Sequence, residues 1–278
     1  MIPAQFDYVR AGSVEEALSL LREHGDEAKL LAGGHSLLPL MKLRLATPSV
    51  LLDIGRLREL SYVRDEGDQL AIGALTRHHD IAHDPIVLEH LPVLAHVAGQ
   101  VGDPQVRHRG TIGGSIAHGD AASDLPAVVL ALDGTLVVTG PGGTSRDVKS
   151  AEFHRGFLDT ALGPEEVLTE IRLRKTTGAG WSWQKLTKRA QDWAIVAAVA
   201  VQTAKGAPSA SVALVNMAPV PMRATSTEEA LAGGASIADA AASADAETDP
   251  SADVNASVEY RRHLARVLTR RALEQALA

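Results

Sequence analysis

Ala32-Gly33-Gly34-His35-Ser36-Leu37-Leu38-Pro39-Leu40-Met41-Lys42 sets a glycine pair between an apolar run and a short amphipathic run. Glycines at such a place let bare backbone amides approach an anionic ligand, because no Cβ stands in the way. A tight turn that needs positive φ is the plainer use of the same pair, so the surroundings must decide. Upstream, Ala28 to Ala32 (AKLLA) reads as a short buried strand. Downstream, Ser36 is placed to cap a brief helix running to Leu43, and Pro48 precedes a second strand, Ser49 to Ile54. The stretch is therefore the turn of a small β-turn-α-β unit. Asp53 closes the second strand at the distance expected of a ribose-binding acid. However, Gly-Gly-His-Ser is not G-x-G-x-x-G, and Pro39 and Pro48 cut the helix short, so a Rossmann site is not expected.

A second segment carries the same chemistry. Thr111-Ile112-Gly113-Gly114-Ser115 again sets two glycines beside hydroxyl residues. Two such loops can grip a diphosphate from two sides with backbone donors and hydroxyls. A Walker-type G-x-x-x-x-G-K-[ST] is absent, which favours a tightly held dinucleotide over a nucleotide undergoing phosphoryl transfer.

Around these motifs, Phe6 to Arg10 reads as a strand, and Ser13 with Glu16 forms a capping box for a helix ending at Gly25. Short strands and turns are expected from Leu57 to Gly73, and helix from Asp80 to Ala98 with breaks at Pro85 and Pro92. Gly102 to Pro126 is rich in glycine and polar residues and is expected to be a long functional loop. Ser123 or Asp124 can cap the helix that follows, which stops at Gly134. Strands are expected at Thr135 to Gly140 and Glu165 to Arg174, with a domain joint at Thr176 to Gly180. Beyond it, Trp181 to Leu186 and Val212 to Met217 read as strands. Asp192 to Ala204 is a helix or a buried strand. A small helix is expected after Ser236 and a long one from Val258, with Leu264, Val267, Leu268 and Leu273 as its apolar side.

The chain has 278 residues, a net charge of -7 and no cysteine. The charge argues against nucleic acid as a main partner. The absence of cysteine excludes disulfides, thiolate catalysis and cysteine-ligated iron–sulfur clusters within the chain. The N-terminal segment lacks a signal-peptide pattern, and no apolar run approaches the ~18 residues of a membrane helix. The expectation is a soluble cytoplasmic protein.

The two glycine motifs, written out as AGGHSLLPLMKLR and TIGGSIAHGDAASDLP, resemble the two signatures of the FAD-binding medium subunits of molybdenum hydroxylases. The likeness is strongest to the aerobic carbon monoxide dehydrogenase type and runs through the whole chain, including VNMAP (Val215 to Pro219) and the last helix. The resemblance implies an α+β fold. Two lobes of the vanillyl-alcohol-oxidase-like type, about 1–56 and 57–176, would clasp FAD, and a small α+β C-terminal domain would span 177–278. It implies that Ala32, Gly33, Gly34, His35, Ser36 and Leu37 hold the diphosphate together with Thr111, Ile112, Gly113, Gly114 and Ser115. Asp124 would accept hydrogen bonds from ribityl or ribose hydroxyls, and Leu162 and Lys185 would lie near the flavin. Where relatives often carry a tyrosine after an acid, this chain has Asp192-Trp193. The implied partners are a small [2Fe-2S] subunit and a large molybdenum-pterin subunit, as a dimer of heterotrimers, with an external electron acceptor. A stand-alone flavin oxidase and a non-catalytic nucleotide-binding module are the alternatives.

Three other groupings have plainer readings. His118, Asp120, Ser123 and Asp124 contain the letters of a hydrolase triad but crowd one short segment. His78, His79 and His83 could ligate a metal, yet an exposed polar face is the expected reading. Arg107-His108-Arg109 is either a solvated loop, or a partner contact or neutraliser of the diphosphate.

Overall fold

The computed structural model describes residues 2 to 278. Its first unit grows from short apolar runs: β1 (Asp7–Arg10), α1 (Val14–His24), β2 (Ala28–Leu31), α2 (Leu37–Lys42) and β3 (Val50–Asp53). The three strands make a parallel sheet in the order β1-β3-β2. Ser13 Oγ accepts from the Glu16 amide at 3.1 Å, and Glu16 returns a carboxylate to the Gly12 amide at 2.6 Å. The expected capping box is thus present, displaced by one residue on its return arm.

The second unit is built on a five-stranded antiparallel sheet, β4 (Val63–Asp65), β5 (Gln69–Gly73), β6 (Thr135–Thr139), β7 (Ser145–Lys149) and β10 (Val167–Arg174), in the order β4-β5-β10-β6-β7. Between β5 and β6 run α3 (His78–His83), α4 (Pro85–His90), α5 (Pro92–Ala98), α6 (Pro104–Arg107), α7 (Ile112–His118) and α8 (Asp124–Ala131). Between β7 and β10 lie α9 (Ser150–Phe153) and a small hairpin, β8 (His154–Gly156) with β9 (Asp159–Thr160). Helix breaks fall where proline places them. Asp84 accepts from the Ile86 and Val87 amides at 2.9 and 3.1 Å, with Pro85 in the first turn, where its missing N–H costs nothing.

The segment Gly102 to Pro126, expected as a loop, is largely helical. Glycine content masked this, because Gly113 and Gly114 sit inside the first turn of α7 rather than ahead of it. Thr111 pins that turn by accepting from the Gly114 amide at 3.1 Å. Two capping expectations also fail in detail. Ser36 and Ser123 stand at the N-cap positions of α2 and α8, but neither side chain makes a cap hydrogen bond.

The third unit is a four-stranded antiparallel sheet, β11 (Trp181–Leu186), β12 (Val196–Gln202), β13 (Ala210–Val215) and β14 (Met222–Arg223), followed by α10 (Thr225–Ala232), α11 (Ile237–Ala241) and α12 (Val258–Ala276). The run from Asp192 to Ala204 resolves as strand β12. Both of its faces are buried: Val196, Ala198 and Ala200 join the core under α12, while Ala197, Val199 and Val201 join the core shared with α5 and α8. A strand covered on both sides loses the period-two alternation that would mark it in sequence. On α12, Leu264, Leu268 and Leu273 are buried as expected, while Val267 is half-exposed.

Candidate flavin site

The two glycine motifs meet. A Cβ on Gly33 would lie 2.3 Å from the Arg109 carbonyl oxygen and 2.9 Å from Gly110 Cα. Gly34 turns the chain with φ +83°, a conformation that glycine adopts without steric cost. On the far side, a Cβ on Gly114 would come within 3.9 Å of the Ala32 Cβ. Arg77, whose sequence carried no signal of a role, stitches the two sides together. One guanidinium nitrogen donates to the Arg109 carbonyl and the other to the Gly55 carbonyl at 3.2 Å. Burial, with Arg109 adding to it, holds this guanidinium below its ordinary pKa.

The motifs contribute differently from the symmetrical grip expected. In the second motif the leading amides are already used: Ile112 donates to Thr76 O at 3.1 Å, Gly113 to Ala74 O at 2.8 Å, and Gly114 to Thr111 Oγ1. In the first motif, the amides of Gly33, Gly34, His35, Ser36 and Leu37 donate to no protein acceptor among the described residues. Successive free amides around a left-handed residue make a concave anion-binding nest. The free backbone donors therefore lie in the first motif, and the second packs behind it. Asp53, the candidate ribose acid, is occupied locally: it accepts from the Gly55 amide at 2.8 Å and from the Tyr8 hydroxyl.

A second polar centre lies where α8 meets the third sheet. Asp124, the first residue of α8, pairs with Lys185 of β11 at 2.6 Å, with side-chain exposures of only 6% and 10%. Burial raises the Asp124 carboxyl above the usual range, and the Lys185 ammonium opposes that rise. Asp124 Oδ1 is buried without a partner. Native structures rarely leave such an oxygen unsatisfied, so this one has room for a donor from outside the chain. The loop between β11 and β12 carries half-buried Asp192 and exposed Trp193. Its base is held by Asn216 Nδ2, which donates to the Ala194 and Ile195 carbonyls at 2.8 and 3.3 Å, and by Arg261, which donates to Ile195 O. Asn216 sits at φ +62° and also donates its amide to Ala121 O at 2.9 Å. Its only trace in the sequence is an asparagine, which tolerates that conformation, directly after a strand. Leu162 follows β9 and is half-buried against the main core.

His78 departs from its expected exposed position. Its ring is buried against Gly110, and its Nδ1 has no partner. Burial, followed by the charges of Arg77, His35 and Arg107, lowers its pKa from 6.5 to about 4. Between those values the unfolded chain binds a proton that the folded chain refuses. Stability is therefore expected to fall as pH drops from about 6.5 to about 4, by roughly 3 kcal/mol from this one group. Urea midpoints at pH 7.5 and pH 4.5 test this in wild type and His78→Gln. An equal acid loss in both would remove His78 as the cause.

Two family models match the chain: the FAD binding domain in molybdopterin dehydrogenase over residues 4–175, and the CO dehydrogenase flavoprotein C-terminal domain over residues 181–276. The chain belongs to this flavoprotein family. The carbon monoxide dehydrogenase medium chain of Hydrogenophaga pseudoflava is 41% identical, covering 100% of this chain and 99% of the relative. The glyceraldehyde dehydrogenase medium chain of Sulfolobus acidocaldarius is 37% identical, covering 99% of each. A solved structure of the Hydrogenophaga pseudoflava carbon monoxide dehydrogenase superposes with a TM-score of 0.95 and 43% identity, over 99% of this chain and 98% of that one. The α+β fold agrees with the family, and the cofactor is FAD. The chain is the electron-transferring flavoprotein component of a molybdenum hydroxylase, an oxidoreductase that works with small and large partner subunits. Among the described residues no helix is long and apolar enough to cross a membrane.

The residues fit FAD on grounds internal to this structure. The run of free amides suits a diphosphate, and the orphaned Asp124 oxygen suits a hydroxyl donor.

Proposed function

We propose that the nest from Ala32 to Leu37 holds the FAD diphosphate, with Thr111 to Ser115 as its rigid wall. The free amides of Gly33 to Leu37 are the observation that carries this reading. Asp124 accepts from ribityl or ribose hydroxyls, and Lys185 orients that carboxyl through its 2.6 Å contact. Leu162 and the Asp192-Trp193 loop lie against the flavin ring, with Asn216 and Arg261 fixing the loop's base. Residues 1–176 form the flavin domain and 177–278 the C-terminal domain. Bound FAD supplies the redox chemistry; the protein binds it, orients it and keeps competing reactions away.

The assembly is a dimer of heterotrimers of the carbon monoxide dehydrogenase type, located in the cytoplasm. A small subunit carries [2Fe-2S] clusters and a large one the molybdenum-pterin centre. The absence of cysteine supports this division, because electrons must arrive through clusters held on another chain. Anaerobic addition of carbon monoxide is expected to leave the flavin absorbance of the isolated FAD-loaded chain unchanged and to bleach it in the assembled complex. Bleaching in the chain alone would favour a stand-alone flavin oxidase instead.

A further inference from the structure

A groove of about 720 Å³ is lined by no residue of the glycine nest and by neither Asp124 nor Lys185. Its walls come from α3, α5 and α6, within the first family model, and from Trp181, at the start of the second. We propose that this groove is a binding site for a small aromatic anion.

Its chemistry is one-sided. The chain carries a net charge of -7, yet no carboxylate lines the groove. Instead His79, His83 and His108 stand together, with ring centroids 4.3 Å apart for His79–His83 and 4.0 Å for His79–His108. Arg107 joins them. Its guanidinium donates to the Val101 and Gly102 carbonyls at 3.2 and 3.0 Å, which fixes it in the wall without a carboxylate partner. A fixed guanidinium beside imidazoles recognises a carboxylate or sulfonate. The other end of the groove suits a ring. His96 lies on Trp181 with centroids 5.2 Å apart, over a floor that includes Pro92 and Ala95. Gln100 Nε2 lies 2.8 Å from His96 Nε2 and holds that imidazole in place. An apolar cleft of this volume between two structural units, with a few convergent polar groups, is the common form of a small-molecule site.

The groups facing His79 predict how binding depends on pH. Desolvation, then the neighbouring His108 and His83, and Arg107 hold its pKa low, while Asp80 on the same helix pulls the other way. His96 is lowered by burial. His83 donates Nδ1–H to the His79 carbonyl at 2.7 Å, which fixes its ring beside His79. An anion in the groove stabilises those charged rings, so its affinity should rise as pH falls from about 8 to about 6.

Isothermal titration of the FAD-loaded chain with 2-naphthoate tests the site, repeated on the assembled complex. The expected result is saturable one-to-one binding, at least about threefold tighter at pH 6 than at pH 8, and retained in the complex. His79→Ala and Arg107→Gln should each weaken it about tenfold while FAD content, the check on folding, stays at wild-type level. Circular dichroism of each variant gives a second check that the fold persists. Non-saturable binding, wild-type affinity in both variants, or loss of binding on assembly would overturn the proposal. The last outcome would make the groove a seat for a partner subunit.

Discussion

Gly33→Ala is expected to strip FAD from the chain, with affinity falling more than about a hundredfold, equivalent to roughly 2.7 kcal/mol or more. The new methyl has nowhere to go. Its ideal position lies 2.3 Å from a backbone carbonyl oxygen and 2.9 Å from two further backbone atoms of the Arg109–Gly110 segment. Backbone at that distance must move, and the motion separates the nest from its wall. Arg77 resists the motion by holding Arg109 and Gly55 together, so the strain falls on the free amides of Gly33 to Leu37. Gly114→Ala is milder in kind, because its methyl meets only the Thr111 hydroxyl at 2.7 Å. That hydroxyl can rotate at the expense of its cap on the Gly114 amide, a loss of about 1 kcal/mol. Gly114→Val adds bulk toward Ala32 and should fall between the two. Fluorimetric FAD titration gives the ranking, and circular dichroism shows whether the fold persists. A Gly33→Ala chain that retains wild-type flavin, or a Gly114→Ala chain that loses more, would show that the nest is not the donor side.

That asymmetry was not legible in the sequence. Both motifs read as glycine-hydroxyl loops of equal standing, since composition reports which atoms are small and not which amides are free. The Ile112 and Gly113 amides are consumed by Thr76 and Ala74, residues nearly forty positions upstream, and only the folded backbone brings those carbonyls near. The helical state of 112–118 was hidden for the same reason, because a tertiary carbonyl and the Thr111 cap override the low helix propensity of two glycines. Elements whose determinants are local were legible. The Ser13 capping box, the proline breaks at 85 and 92, and the apolar stripe of the last helix rest on neighbours in sequence. The β12 run stayed ambiguous because burial on both faces erases its period. His78 was misread through its exposed-looking neighbours. Its burial depends on Gly110, which leaves room for an imidazole where any side chain would collide at 2.7 Å.

The Asp124–Lys185 pair allows a test that separates binding from folding. Asp124→Ala leaves a lysine with 10% of its side chain exposed and no counter-charge. Removing one partner of a buried pair typically costs about 3–5 kcal/mol. Stability and FAD affinity should therefore fall together in this variant. Asp120→Ala should cost far less, because Asp120 Oδ1 serves only the Ala122 amide, at 2.9 Å in a half-buried turn. The informative variant is Asp124→Leu with Lys185→Met. Two apolar side chains of matching bulk remove both buried charges, and such replacements are often neutral or stabilising. Its urea midpoint should return to within about 1 kcal/mol of wild type. FAD binding should stay weakened, since the Asp124 oxygen now without a protein partner is gone and a lost charge-assisted hydrogen bond costs about 1.5–3 kcal/mol, or roughly ten- to hundredfold in affinity. Recovery of both properties would reduce the pair to a bridge between α8 and the third sheet. Recovery of stability alone marks Asp124 as a buried polar residue kept for the sake of the cofactor.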